Sequence, residues 1–269
     1  MKTNTKNIEK LANKSFTIKL TINKKDIQEA HQQTLKEFQA NFEIKGFRKG
    51  KAPLDAIEKE TPFEKLFEKT ASKVISQEYA KFIKKEDLKP IIQPRVKFEK
   101  APENFTEDWH VEITSCELPE LKLNKDYLEK IKKIRKASKA TEEQEKTKEI
   151  VDGLVSSAKV DLPEILIESD LQHQLSQLVN QAQQAGITVE QYLKTQKTNI
   201  KDYQEDLKKR IVREWTLNLS IQKIAKEQKI EVSPQEIQDL LKKNPALGQN
   251  MNLVNYILTQ QKVIDFLKK

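Results

Sequence analysis

Gly46-Phe47-Arg48-Lys49-Gly50-Lys51-Ala52-Pro53 places two of the chain's five glycines within five residues. Glycine turns through positive φ at low steric cost, so two so close together in a glycine-poor chain mark a shaped loop. Pro53 suits the first turn of a following helix. Phe47 stands beside Arg48 and Lys49, with Lys45 and Lys51 outside them and no acid interrupting. A ring on such a loop has little reason to be there unless a partner buries it, which contributes about 1.5 to 3 kcal/mol. The cations suit a partner rich in phosphate or carboxylate. An ordinary solvated connection is the plainer reading, and the paired glycines and the ring weigh against it.

Outward from this loop, the upstream side alternates strictly from Ser15 to Ile22, with Phe16, Ile18, Leu20 and Ile22 on one face, as a half-buried strand does. Asn23 can cap a helix whose inner stripe is Ile27, Ala30, Thr34, Leu35, Phe38 and Phe42. Downstream, a short helix from Pro53 turns Leu54 and Ile57 inward. Thr61-Pro62-Phe63-Glu64 then has the form of a capping box, opening a helix with Leu66, Phe67, Thr70, Val74, Tyr79 and Phe82 inside. Two more alternating segments follow: Ile92, Pro94, Val96 and Phe98, then Phe105, Trp109, Val111 and Ile113. This order predicts an α+β domain with helices on one face of a small sheet, ending near Leu118.

Beyond Pro119 no strand alternation stands out, and helix signals dominate. Asp161-Leu162-Pro163-Glu164 opens a helix with the spine Ile167, Leu171, Leu175, Leu178, Ala182 and Ala185, and Gly186 is placed to end it. Thr188-Val189-Glu190-Gln191 is a second capping box. Leu207, Ile211, Trp215 and Leu219 mark a long helix, Ser233-Pro234-Gln235-Glu236 starts another, and Leu253, Val254, Ile257, Leu258 and Ile264 mark the last. Lys130, Lys132, Lys133, Arg135, Lys136 and Lys139 form a basic run, read as a solvated helix or linker, with a supplementary contact to RNA as the alternative.

At 269 residues, two domains or one domain with an extended arm is the expectation, and 33% charged against 36% apolar side chains favours elongation. Residues 1 to 118 carry 23 basic and 19 acidic side chains and the remainder 26 and 22, so only local clustering distinguishes the halves. Met1 to Lys14 has no apolar leader core, no stretch approaches a membrane span, and Cys116 is the single cysteine. These features point to the cytosol.

The octet at 46–53 and its flanks resemble the ribosome-docking signature of trigger factor, the bacterial chaperone that meets nascent chains at the exit tunnel, and the resemblance runs along essentially the whole chain. It implies an α+β ribosome-binding domain at 1–118, a linker and the start of a helical arm at 119–160, and an elongated all-α substrate-cradling domain at 161–269. Gly46, Phe47, Arg48, Lys49, Gly50, Lys45 and Lys51 would dock on the large ribosomal subunit, against ribosomal protein and ribosomal RNA at the tunnel exit. Unfolded nascent polypeptides would be shielded without ATP or any cofactor, with Leu171, Leu178, Tyr192, Val254, Ile257 and Leu258 as candidate client contacts. A membrane is not an expected partner, and weak homodimerisation is left open. The family usually carries an inserted prolyl isomerase domain of the FKBP type. Residues 119 to 160 offer one aromatic, Tyr127, and one glycine, Gly153, too little for that fold, and the tail past Phe266-Leu267 reads as shortened.

Other chemistry is poorly supported. His31, His110 and His173 are far apart, with no metal-ligand spacing. Cys116 ends a strand without a motif that would activate a thiol. Gly46-x-x-x-Gly50-Lys51 lacks the spacing and the Ser or Thr of a phosphate loop. Trp109 and Trp215 read as core. No catalytic residue or metal ligand is assigned. A prolyl isomerase by family inheritance and a basic RNA-binding protein without chaperone activity are the alternatives.

Overall fold

A computed structural model describes residues 7–41, 43 and 46–269. The chain divides into two compact units, Met1–Leu118 and Pro119–Lys269.

The first unit runs β1 (Asn7–Lys10), β2 (Ser15–Ile22), α1 (Lys24–Asn41), α2 (Leu54–Glu60), α3 (Phe63–Lys85), β3 (Arg95–Phe98) and β4 (Trp109–Cys116). The strands form one antiparallel sheet in the order β1-β2-β4-β3. Its register sets Ile18 opposite Ile113, Leu20 opposite Val111 and Ile22 opposite Trp109, so the alternation of both central strands feeds one face. Ile27, Ala30 and Leu35 of α1 and Leu66, Val74 and Phe82 of α3 complete that core. The opposite face is polar: Thr17 and Thr114 hydroxyls meet at 3.2 Å, and Lys19, Glu112 and Lys97 align as alternating charges across three strands.

Local signals are revised where neighbouring elements compete for the same residue. Thr61 does not cap α3; it ends α2, its N–H bonding to the Ile57 carbonyl, while Pro62 takes the cap position without a side-chain bond. Pro53 likewise precedes α2 rather than entering it. β3 is shorter than the alternation from Ile92, since Pro94 has no N–H to give the ladder. Phe105 lies before β4 and buries its ring flat against His31, centroids 3.9 Å apart. The N-terminus of α1 is held from outside its own segment, the Lys24 N–H donating to Asp108 at 2.7 Å. Phe42 lies outside the described residues.

The second unit runs β5 (Leu121–Leu123), α4 (Tyr127–Ala137), α5 (Glu143–Val155), β6 (Ala158–Val160), α6 (Glu164–Gln184), α7 (Val189–Thr195), α8 (Ile200–Glu227), α9 (Pro234–Lys243), a 3-10 turn at Pro245–Gln249 and α10 (Met251–Lys268). The long α8 is its axis, packing against α5, α6, α7 and α10. Tyr127, Ile131, Ile150 and Leu154 join Ile221, Ile224, Val263 and Leu267 in one core. Residues 119–160, expected as a linker and the start of a helical arm, pack as part of this unit and share its core. They also contain the antiparallel β5–β6 ribbon that the sequence did not reveal, because strands of three residues give a single alternation.

Helix ends follow the sequence more closely here. Thr188 with Gln191 and Ser233 with Glu236 form reciprocal capping boxes. Gly186, at φ +69°, ends α6, with Ile187 N–H reaching the Ala182 carbonyl and Gly186 N–H the Gln183 carbonyl.

The Glu236 box doubles as an inter-helix tie, since Lys262 of α10 donates to both carboxylate oxygens at 2.8 and 2.9 Å. Lys262 and the Ser233 donors hold the Glu236 pKa at about 2, below its ordinary 4.5. A carboxylate depressed in the fold stabilises above its unfolded value and loses that contribution as pH falls toward its folded one. Glu236→Gln should therefore melt below wild type at neutral pH, with the difference closing from about pH 4.5 to 2. A melting difference independent of pH across that window would refute the tie.

Candidate docking loop and helical surface

The loop between α1 and α2 is built on a fixed base. Gln39 of α1 donates from Nε2 to the Ala52 carbonyl at 2.6 Å, and Ala52 itself is buried. Farther along, His31 Nε2 and Glu58 Oε1 lie 2.9 Å apart, joining α1 to α2. Within the loop the Lys51 N–H bonds to the Arg48 carbonyl at 2.9 Å, closing a turn whose third residue, Gly50, has φ +77°. That is the position where a type II turn demands positive φ. Gly46 has φ +92°. A Cβ at either glycine would meet nothing within 4 Å, so glycine is needed there for backbone conformation and not for space.

The result is a presented ring with cations on the same loop. Phe47 is 45% exposed and does not pack beneath the sheet. Arg48, Lys49 and Lys51 are exposed, and among the described residues none of them is ion-paired. Lys45 lies outside the described residues.

The candidate client residues separate into two groups. Leu178, Val254 and Leu258 are corrections: they are 3%, 0% and 9% exposed, consumed by packing between helices and unable to meet a client. Leu171, Tyr192 and Ile257 are half-buried, with the Tyr192 hydroxyl donating to Gln181 at 3.4 Å. The exposed apolar side chains of this unit are others, none of them singled out from sequence as a client contact. They are Val179, Ile200, Val212, Met251 and Leu253. Three of them sit one residue away from a buried position: Val179 after Leu178, Val212 after Ile211 and Leu253 before Val254. An apolar residue about 100° out of phase with its own helix stripe was the signal available. Val212 also lines a groove of about 550 Å³ with Leu162 and Ile167, edged by Glu164, Glu168, Lys208 and Lys209.

The remaining residues are structural. Trp109 is buried, its Nε1 donating to the Asn104 carbonyl at 3.3 Å, and Trp215 Nε1 donates to Asp170 at 2.6 Å, joining α8 to α6. His110 meets Thr21 on the open sheet face, His173 pairs with Gln177, and Cys116 is buried. Among the described residues no cluster of three or more His, Cys, Asp or Glu could hold a metal ion, and no helix is long and apolar enough to cross a membrane.

Comparison with known proteins gives this arrangement a family. A model described as bacterial trigger factor protein matches residues 1–152, and one for the C-terminus of the same protein matches 123–269. The two overlap, so no residues lie between them. The trigger factor of Carboxydothermus hydrogenoformans is 29% identical over 131 residues, covering 44% of this chain and 31% of the relative. That of Ureaplasma urealyticum is 30% identical over 132 residues, covering 44% and 28%. The chain thus matches less than a third of the length of these relatives. A solved structure concerned with promiscuous substrate recognition in folding and assembly activities of the trigger factor chaperone superposes with a TM-score of 0.66 at 12% identity, covering 97% of this chain and 99% of the other, and shows the shared fold. Matched by these models from its first residue to its last, and carrying its glycine-flanked Phe-Arg-Lys on a presented loop, the chain belongs to the bacterial trigger factor family.

Proposed function

We propose that this protein is a cytoplasmic, ribosome-associated chaperone that docks beside the nascent-chain exit through residues 46–51 and shields emerging unfolded polypeptides with its helical unit. The observation that carries this reading is Phe47, 45% exposed on a turn set by Gly46 and Gly50 and anchored by the Gln39–Ala52 bond. A presented ring between cations has no role in the protein's own core, and preorganisation lowers the ordering cost of docking. Phe47 fills an apolar hollow on the large subunit, Arg48 pairs with carboxylate or phosphate through its planar fork, and Lys49 adds a point charge.

The second unit contributes dispersed apolar side chains set among charges: Val179, Ile200, Val212, Met251 and Leu253. Such a surface engages extended chains through many weak contacts and lets them go without an energy source. Holding is ATP-independent and no catalytic step is assigned.

Two measurements test this reading. The chain should pellet with ribosomes at low salt and be released as salt rises, since contacts to phosphate release counterions. It should also suppress light scattering by a refolding client in nucleotide-free buffer. A chain that stays in the supernatant at low salt defeats the docking, and one that protects only with ATP defeats the passive mechanism.

A further inference from the structure

In the β5–β6 ribbon Lys122 lies directly opposite Lys159, and both are exposed. Like charges facing each other across paired strands are destabilising, and here they occupy the middle rung of a ribbon three residues long. The other face of the ribbon is committed to the core through Leu121 and Leu123. Positive charge continues into the adjoining helix. Lys125 is exposed in the link to α4, Lys130 donates to Ser156 at 3.0 Å close to the start of β6, and Lys132, Lys133 and Lys136 are exposed along α4. Residues 119–139 hold eight basic and three acidic side chains, five of the chain's eight net positive charges.

Among the described residues none of Lys122, Lys125, Lys132, Lys133, Lys136 and Lys159 has an ion-pair partner within 4.0 Å, although Asp126, Glu129 and Asp161 lie in the same segments.

We propose that the β5–β6 ribbon and α4 form a second, sequence-independent binding surface for the phosphate backbone of RNA, in the helical unit and independent of the loop at 46–51. A polyanion of closely spaced charges relieves the Lys122–Lys159 repulsion and gains counterion release. The patch lacks what other anionic partners would use. No large apolar side chain in residues 119–160 is among the exposed ones, so there is no wedge for a lipid surface and no apolar centre for a protein interface. The choice of RNA among polyanions rests on the docking function proposed above.

The test uses the full chain with labelled poly(U) RNA, followed by anisotropy over a salt series. Phosphatidylglycerol vesicles and poly-glutamate serve as competing probes. Lys122→Gln/Lys159→Gln should bind about tenfold more weakly at low salt, with a log–log salt slope smaller by about 1.4, two contacts at roughly 0.7 each. The same loss should appear in a Phe47→Ala/Arg48→Ala/Lys49→Ala background, which separates this surface from the loop. Lys159→Glu sets an acid opposite Lys122, so its melting temperature should rise by about 1 to 2 °C while RNA binding still falls. Unchanged RNA affinity in a folded Lys122→Gln/Lys159→Gln chain, or equal binding to vesicles or poly-glutamate, would overturn the proposal. Loss of ribosome pelleting by the loop variant leaves this measurement unaffected, so the two can fail separately.

Discussion

Replacing Phe47, Arg48 and Lys49 together by alanine is expected to reduce ribosome co-sedimentation by two to three orders of magnitude in affinity, with little change in melting temperature. Phe47 is 45% exposed, so docking removes about half its surface from water, roughly 1 to 1.5 kcal/mol. A charge-assisted bond from Arg48 adds about 1.5 to 3 kcal/mol and Lys49 up to about 1. Taken together these span about 2.5 to 5.5 kcal/mol, and the middle of that range, about 3 to 4 kcal/mol, corresponds to two to three decades at 1.4 kcal/mol per decade of affinity. None of the three side chains supports the fold, so stability should shift by no more than about 0.5 kcal/mol. Equal pelleting of wild type and variant, both folded by circular dichroism, would remove the docking assignment. The separation is sharp because the scaffold elements beneath the loop, the Gln39–Ala52 bond and the His31–Glu58 contact, are untouched.

The same loop explains why so much of the first unit could be read directly. Gly46 and Gly50 carry a conformational demand that few other residues satisfy, and the structure shows that demand as positive φ at both. β2 was legible because eight residues alternate without a break, and its partner β4 repeats the pattern in register. Legibility failed where a residue's role depends on a neighbour in space. Thr61 has a capping sequence, yet its backbone is engaged in closing α2, a competition that no local pattern displays. Leu121-Lys122-Leu123 and Ala158-Lys159-Val160 each alternate once, and only their pairing across α4 and α5 makes them strands.

For the helical unit the limit was of another kind. A stripe at three- and four-residue steps identifies the apolar face of a helix but not whether another helix covers it. Leu178 and Val254 lie on such stripes and are covered, while Val179, off its stripe, is open, and so is Leu253, which was read with the apolar residues of the last helix. The client-facing surface proposed here is therefore written in departures from the amphipathic pattern.

Leu178→Ala is accordingly expected to act on stability, and Val179→Ser, one residue away, on client protection. Leu178 is 3% exposed in α6, which packs against α7 and α8. Truncating a buried leucine removes its transfer free energy and leaves a cavity, about 2 to 5 kcal/mol. At roughly 2 to 4 °C per kcal/mol in a unit of this size, the melting temperature should drop by about 4 to 20 °C. Client protection measured well below that transition should be unchanged, because Leu178 offers a client no surface. Val179→Ser, 40% exposed at the start, should shift stability by no more than about 0.5 kcal/mol. It should weaken suppression of client aggregation by up to about twofold, since dispersed weak contacts make each one a small part of the whole. The reverse pattern, a stable Leu178→Ala chain that fails to protect beside a fully protective Val179→Ser chain, would return Leu178 to the client surface and remove the out-of-phase residues from it.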